Sequence, residues 1–331
     1  MHPNLVLFKG EALPRALPVC DHYAGTEVRM RKALALQVEL GPVFDITLDC
    51  EDGAPVGQEA AHAQLVVDVL HSSENLFQRV GVRIHDPSHS SWKDDVAMLV
   101  GGAGERIAFV MIPKVDNAQQ TQRVIDWINQ TAKKAGIEKN IPVQVLIETH
   151  QALLDVKNLA ALPQVESLSF GLMDFVSAHH GAIPAAAMDR GQFDHPLIAR
   201  AMLEISAACH AFGKVPSHNV CTNFNDATIV ESDCLRAKNE FGYTRKWSIH
   251  PNQIPLIVKA FSPTSDEVGM AAEIIEAAIA ANWGPIQHAG KLHDRASYRY
   301  FWTLLQKAHA ANPKNVPNRI KMLIESAWSK K

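Results

Sequence analysis

Eight short β-rich runs, each followed by a stretch of helical patterning, decide which folds are open to this chain. The runs are Leu17–Cys20, Val43–Asp49, Val80–His85, Ile107–Lys114, Val143–Thr149, Val165–Phe170, Val215–Val220 and Lys246–His250. Such alternation argues for βα units and a parallel sheet. Side-chain parity then separates two ways of building that sheet. Successive strand residues point to opposite faces. In the third run Val80, Val82 and Ile84 oppose Gly81, Arg83 and His85; in the fifth, Val143, Val145 and Ile147 oppose Gln144, Leu146 and Glu148. In the second, Phe44, Ile46 and Leu48 oppose Asp45, Thr47, Asp49 and Glu51. An open sheet covered on both faces should be apolar both ways. One apolar face and one that gains charge toward the strand's end is the pattern of a barrel, whose mouth holds the polar groups. The expected fold is α/β, a (β/α)8 TIM barrel over residues 1–262 with a C-terminal helical extension over 263–331.

The helices carry their own punctuation. Thr26 reads as an N-cap for a helix that stops at Gly41-Pro42. Another begins at Asp194 with Pro196 in its first turn and ends at Gly213, and a third spans Asp226 to Gly242. Thr264 and Glu267 form a capping-box pattern opening a helix through Ala281, and the remainder to Lys331 also reads as helical. A length of 331 residues suits one barrel plus this extension.

A net charge of −3 with acids and bases interspersed gives no footprint for nucleic acid. No apolar run reaches the roughly 20 residues of a membrane span, and Met1 to Lys9 lacks the pattern of a signal peptide. A cytoplasmic protein is expected. The five cysteines (Cys20, Cys50, Cys209, Cys221, Cys234) form no C-x-x-C pair and read as buried small hydrophobes.

Charged groups gather where the parity puts the barrel mouth. Glu148 closes the fifth strand, and Asp174 follows the sixth by way of Gly171. Two carboxylates from adjacent strand ends offer hard oxygen ligands to magnesium, or to manganese as the alternative, with water and substrate completing the shell. Taken alone, the same pair could cap loops or helix N-termini. Arg83, facing inward on the third strand, needs an anionic partner: internally Asp49, Glu51 or Asp52, a substrate carboxylate held by both prongs of its guanidinium, or both together. The acidic run Asp49-Cys50-Glu51-Asp52-Gly53 repels itself unless a metal or arginine lies near.

The chain reads in order Leu48-Asp49-Cys50-Glu51-Asp52-Gly53, Val82-Arg83-Ile84, Ile112-Pro113-Lys114-Val115, Ile147-Glu148-Thr149, Phe170-Gly171 to Asp174-Phe175 and Ser248-Ile249-His250-Pro251-Asn252-Gln253-Ile254, then Phe261-Ser262-Pro263. In that order and spacing it resembles, over nearly its whole length, the citrate lyase beta-subunit and malyl-CoA lyase family of the HpcH/HpaI aldolase group. The resemblance implies magnesium on Glu148 and Asp174, a substrate carboxylate on Arg83, and Glu51 and Asp52 lining the metal site. Gly290-Lys291-Leu292-His293-Asp294 resembles the family's G-x-M-I-D, which makes Asp294 the acid/base that reaches into a neighbouring subunit of a homotrimer or homohexamer. Arg15 matches the arginine of an N-terminal R-S-x-L-F-V-P-G run that helps bind coenzyme A.

The departures cluster where an acyl carrier would dock. Asp21-His22 stands for the family's Pro-Gly, His218-Asn219 for an Asp-Gly pair, and the first loop, His22-Tyr23-Ala24-Gly25, is unlike that of the acyl-CoA lyases; apart from these, Arg295-Ala296 lacks the proline that follows the family's aspartate. Coenzyme A as part of the substrate therefore stays open beside a free hydroxy acid. His179-His180 match no family ligand and read as loop or interface residues. His250 matches the family histidine, in a hydrogen-bonding or a catalytic role. The implied activity is metal-dependent carbon–carbon cleavage or condensation of a small oxo- or hydroxy-acid or its acyl-CoA, in which Asp294 or a metal-bound water takes the hydroxyl proton. A thioester hydrolase and a non-catalytic accessory subunit are the rival readings.

Overall fold

A computed structural model describes residues 1–9 and 16–328. Eight strands, β1 (Cys20–Ala24), β2 (Phe44–Asp49), β3 (Val80–Arg83), β4 (Val110–Ile112), β5 (Val143–Ile147), β6 (Val165–Phe170), β7 (Val215–His218) and β8 (Arg245–Ser248), close into a barrel in sequence order. Every neighbouring pair is parallel, and β8 pairs with β1. This is the TIM-barrel arrangement.

The parity argument holds through the wall. Val80, Val82, Ile84, Val143, Val145 and Ile147 are buried with the helices in one large apolar layer. Phe109, Met111, Leu146 and Trp247 form a separate cluster with Tyr23 packed against it; these are the lumen residues. Deeper in the lumen, Arg245 is fully buried with Nη1 2.6 Å from Asp45 Oδ2 and Nη2 3.1 Å from Asp21 Oδ2. Thr47 donates to the other oxygen of Asp21 at 2.8 Å. A buried guanidinium is tolerated only with such partners, so this triad plugs the lumen below the mouth.

The first strand corrects the expectation of Leu17–Cys20. It runs Cys20–Ala24, and its composition hid it: Asp21 and Tyr23 face the lumen, where charged and aromatic partners await them, so the run lacks the apolar look of a strand. The helix expected from Asp194 begins at Pro196 with His195 as its N-cap residue. The helices Glu27–Leu40 and Ala227–Phe241 lie where their caps put them, and Gly242 closes the latter with φ +72°.

The compact barrel unit spans Leu17–Phe261, and the described residues of Met1–Ala16 and Ser262–Lys331 form a second unit. Grouping residues 1–262 together did not anticipate that the N-terminal helix Pro3–Phe8 packs with the C-terminal helices. Trp302 Nε1 donates to Asn4 Oδ1 at 2.6 Å, Arg299 Nε to Leu7 O at 2.6 Å, and Leu7 joins Val268, Trp302 and Ile320 in this unit's own core. The Thr264–Glu267 capping box is formed at the head of Ser265–Ala280. The reading of an all-helical remainder is corrected by a hairpin, β9 (Ile286–His288) and β10 (Lys291–His293). Its turn residues Ala289 and Gly290 both have positive φ, the backbone of a tight hairpin turn. No helix among the described residues is long and apolar enough to cross a membrane.

Candidate active site

A cleft of about 240 Å³ opens at the C-terminal ends of the barrel strands, lined among others by Glu148, Asp174, Arg83, Asp52, Asn219 and Trp247. Glu148 follows β5 directly and is only 4% exposed. Its Oε1 accepts the main-chain N–H of Lys114 at 2.7 Å. Burial, reinforced by the neighbouring charge of Asp174, pushes its carboxyl up to about 8. Gly171 is what admits it: a Cβ there would lie inside contact distance of Glu148 Oε2 and Cβ. Asp174 stands in the first turn of the helix Leu172–Ser177, half exposed to the cleft.

Arg83 has internal partners and also lines the cleft. Nε and Nη2 grip the two oxygens of Asp49 at 2.5 and 2.8 Å, and Nη1 lies 3.0 Å from Glu51 Oε2. Burial opposes the ionisation of Asp49, yet the guanidinium outweighs it and holds that carboxyl below its usual value. Asp49 also accepts the main-chain N–H groups of Glu51 and Gly53. The Tyr23 hydroxyl donates to Asp49 and accepts from Arg83 Nη2 at 3.1 Å, with the guanidinium over its ring. The Tyr23 ring stacks on Trp247.

Lys114 ties the acidic residues together. Its Nζ lies 2.5 Å from Glu51 Oε1, 3.0 Å from both oxygens of Asp52 and 3.9 Å from Asp174 Oδ1. Its φ of +46° is the left-handed region, which a non-glycine residue rarely adopts. That backbone turn sends the N–H to Glu148 and the ammonium to the other three acids.

Among the described residues no three His, Cys, Asp or Glu side chains form a ready-made metal cage. The donor set nonetheless suits magnesium, which commonly takes one or two carboxylates and keeps several waters. Glu148 Oε2, uncommitted above the glycine, and the half-exposed Asp174 are the two oxygens on offer.

The family model described as HpcH/HpaI aldolase/citrate lyase matches residues 36–251, well over half of the chain. The chain belongs to this HpcH/HpaI family. Membership places it among carbon–carbon lyases. It is 27% identical over 279 residues to an L-malyl-CoA/beta-methylmalyl-CoA lyase of Rhodobacter capsulatus, covering 80% of this chain and 87% of the relative. It is 54% identical to a citrate lyase from Burkholderia xenovorans whose crystal structure covers 98% of this chain and 99% of that one, with a TM-score of 0.86. The fold is also that of the CitE protein of Mycobacterium tuberculosis in complex with magnesium, acetoacetate and coenzyme A, with a TM-score of 0.67 at 21% identity over 90% of this chain and 98% of that one.

Of the residues singled out from this HpcH/HpaI member's sequence, Glu148, Asp174, Arg83, Glu51 and Asp52 meet at one barrel mouth. Asp294 lies in the other unit, exposed, as the N-cap of the helix Arg295–Ala311, accepting the N–H groups of Ala296 and Ser297. Arg15 lies outside the described residues. His179 Nδ1 bonds to its own helix at Phe175 O, and His250 stacks on Phe224. Lys114 and Trp247 were not anticipated as site residues, and Tyr23 and Asn219 entered only as departures from the family pattern. Lumen parity would have exposed Tyr23 had its strand been placed three residues later. Lys114 lies in the Ile112-Pro113-Lys114-Val115 run, whose spacing alone gives the lysine no role.

Proposed function

We propose that this HpcH/HpaI member is a magnesium-dependent carbon–carbon lyase that cleaves or forms a small hydroxy-acid, or its coenzyme A thioester, by aldol or Claisen chemistry. The observation that carries the reading is the convergence of Glu148, Asp174 and Arg83 on one cleft at the barrel mouth. The malyl-CoA lyase relatives and the CitE protein bound to magnesium, acetoacetate and coenzyme A support the substrate class.

Glu148 and Asp174 would hold the ion. When bound, magnesium supplies positive charge to an oxyanion developing on the substrate, an effect of several kcal/mol. Arg83, its orientation locked by Asp49, presents a fixed cation to a substrate carboxylate and so turns binding into orientation. Glu51 and Asp52 hold Lys114 at the rim. Tyr23, Trp247 and Phe170 supply an apolar wall that limits water at the reacting carbon. Cleavage needs a base for the hydroxyl proton as the carbonyl forms, and the electron pair of the broken bond passes to the acyl α-carbon, which is then protonated. Asp294 of a neighbouring subunit is the group we assign to that proton, within a homotrimer or homohexamer; Arg15 is assigned to the acyl carrier. Five reduced, buried cysteines fit a cytoplasmic setting.

The test is Glu148→Gln assayed on malyl-CoA and citramalyl-CoA. Metal-dependent release of oxo-acid is expected to vanish while the circular dichroism spectrum is retained. Full turnover by the native protein in EDTA would eliminate the metal-dependent mechanism. Free thiol appearing without an oxo-acid would identify a hydrolase instead.

A further inference from the structure

Lys114 reaches four of the carboxylates at the rim. Its main-chain N–H bonds to Glu148, and its ammonium sits between Glu51 and Asp52 and faces Asp174 at 3.9 Å. The ammonium therefore occupies the same acidic surroundings that a divalent ion would enter. The position carries backbone strain, since a non-glycine residue held at positive φ is disfavoured; burial works against the ammonium, yet its bonds to Glu51 and Asp52 outweigh burial and hold it above the usual lysine value. Such strain persists where surrounding contacts fix it, here through Glu148 on one side and Glu51 and Asp52 on the other.

We propose that Lys114 is a positioning residue that sets the cation affinity of this site: a built-in counter-cation, neutralising the acidic rim when the metal is absent and weakening metal binding when it is present. This rests on the metal-dependent reading above. Its purpose in that reading follows from charge. Like charges a few ångströms apart in a partly buried site repel strongly. A site holding its own ammonium retains magnesium poorly until an anionic substrate arrives to offset the added charge. Metal and oxo-acid then bind together more tightly than either binds alone.

The experiment is calorimetric titration of the full-length, metal-stripped protein with Mg²⁺, above the pH at which Glu148 ionises, for the native chain, Lys114→Met and Lys114→Arg. Methionine keeps the length and the main-chain N–H but removes the charge. It should tighten Mg²⁺ binding by at least roughly tenfold, and arginine should restore an affinity near the native one. The rise in melting temperature on adding Mg²⁺ should also be larger in Lys114→Met. A residue that merely braces the carboxylates would do the opposite, so unchanged or weaker binding in Lys114→Met overturns the proposal. Lys114→Gln provides the same comparison should the methionine variant not fold. If the native chain binds no Mg²⁺ with or without pyruvate, the metal-dependent reading fails along with this one; binding by the native chain with no gain in the variants removes this one alone.

Discussion

Glu148 is a carboxyl placed where its charge is disfavoured, by burial first and by Asp174 second. The direction of the shift fixes the pH behaviour. Between the ordinary value of 4.5 and about 8 the folded, metal-free chain holds a proton that the unfolded chain has already released. This group's contribution to stability is thus fully present below the lower value and is lost as pH rises through the higher one. Magnesium needs the ionised form, so near neutrality its binding should expel close to one proton per ion. Titrations in two buffers of different ionisation enthalpy measure that number, and a heat independent of buffer would contradict it. The placement of Glu148 and Asp174 at the barrel mouth was legible in the sequence because a strand end and a glycine turn announce it. The way Arg83 divides itself between Asp49 and Glu51 was not, since several acids lay within reach and only side-chain placement chooses among them.

At the scale of elements, the strand endings carry the site. Gly171, directly after β6, leaves the space that Glu148 fills, because any Cβ would collide with that carboxylate. Gly171→Ala should displace Glu148 and weaken Mg²⁺ affinity by an order of magnitude or more, while the apolar layer outside the barrel and its far-ultraviolet spectrum stay unchanged. An alanine variant with native Mg²⁺ affinity would show that Glu148 does not depend on that gap. Parity along β2, β3 and β5 was readable because their outward faces are uniformly apolar. β1 escaped because the lumen supplies Asp21 and Tyr23 with partners from β2, β3 and β8, and such long-range company leaves no local pattern. The hairpin before Asp294 escaped for a related reason: three-residue strands are too short to show a period, and only Ala289-Gly290 marks the turn.

For the whole molecule, the assignment of Asp294 to a neighbour's cleft has a direct consequence. Glu148→Gln and Asp294→Asn should each be inactive alone, yet mixed oligomers made by co-expression should recover activity, because some clefts would combine an intact Glu148 with an intact Asp294. Failure of such mixtures, with oligomers confirmed by light scattering, would count against a shared site. How many copies assemble was not legible beyond the family resemblance, since no pattern in one chain encodes a symmetry operator.

The triad of Arg245, Asp21 and Asp45 fills the lumen beneath the cleft, which leaves the C-terminal mouth as the expected door. A ligand's long arm must trail outward through that door, and whatever fragment rests on the inner carboxylates is the last to depart. After cleavage of a thioester the carrier half should therefore leave before the small oxo-acid, so that the oxo-acid inhibits competitively against the thioester and the carrier product does not.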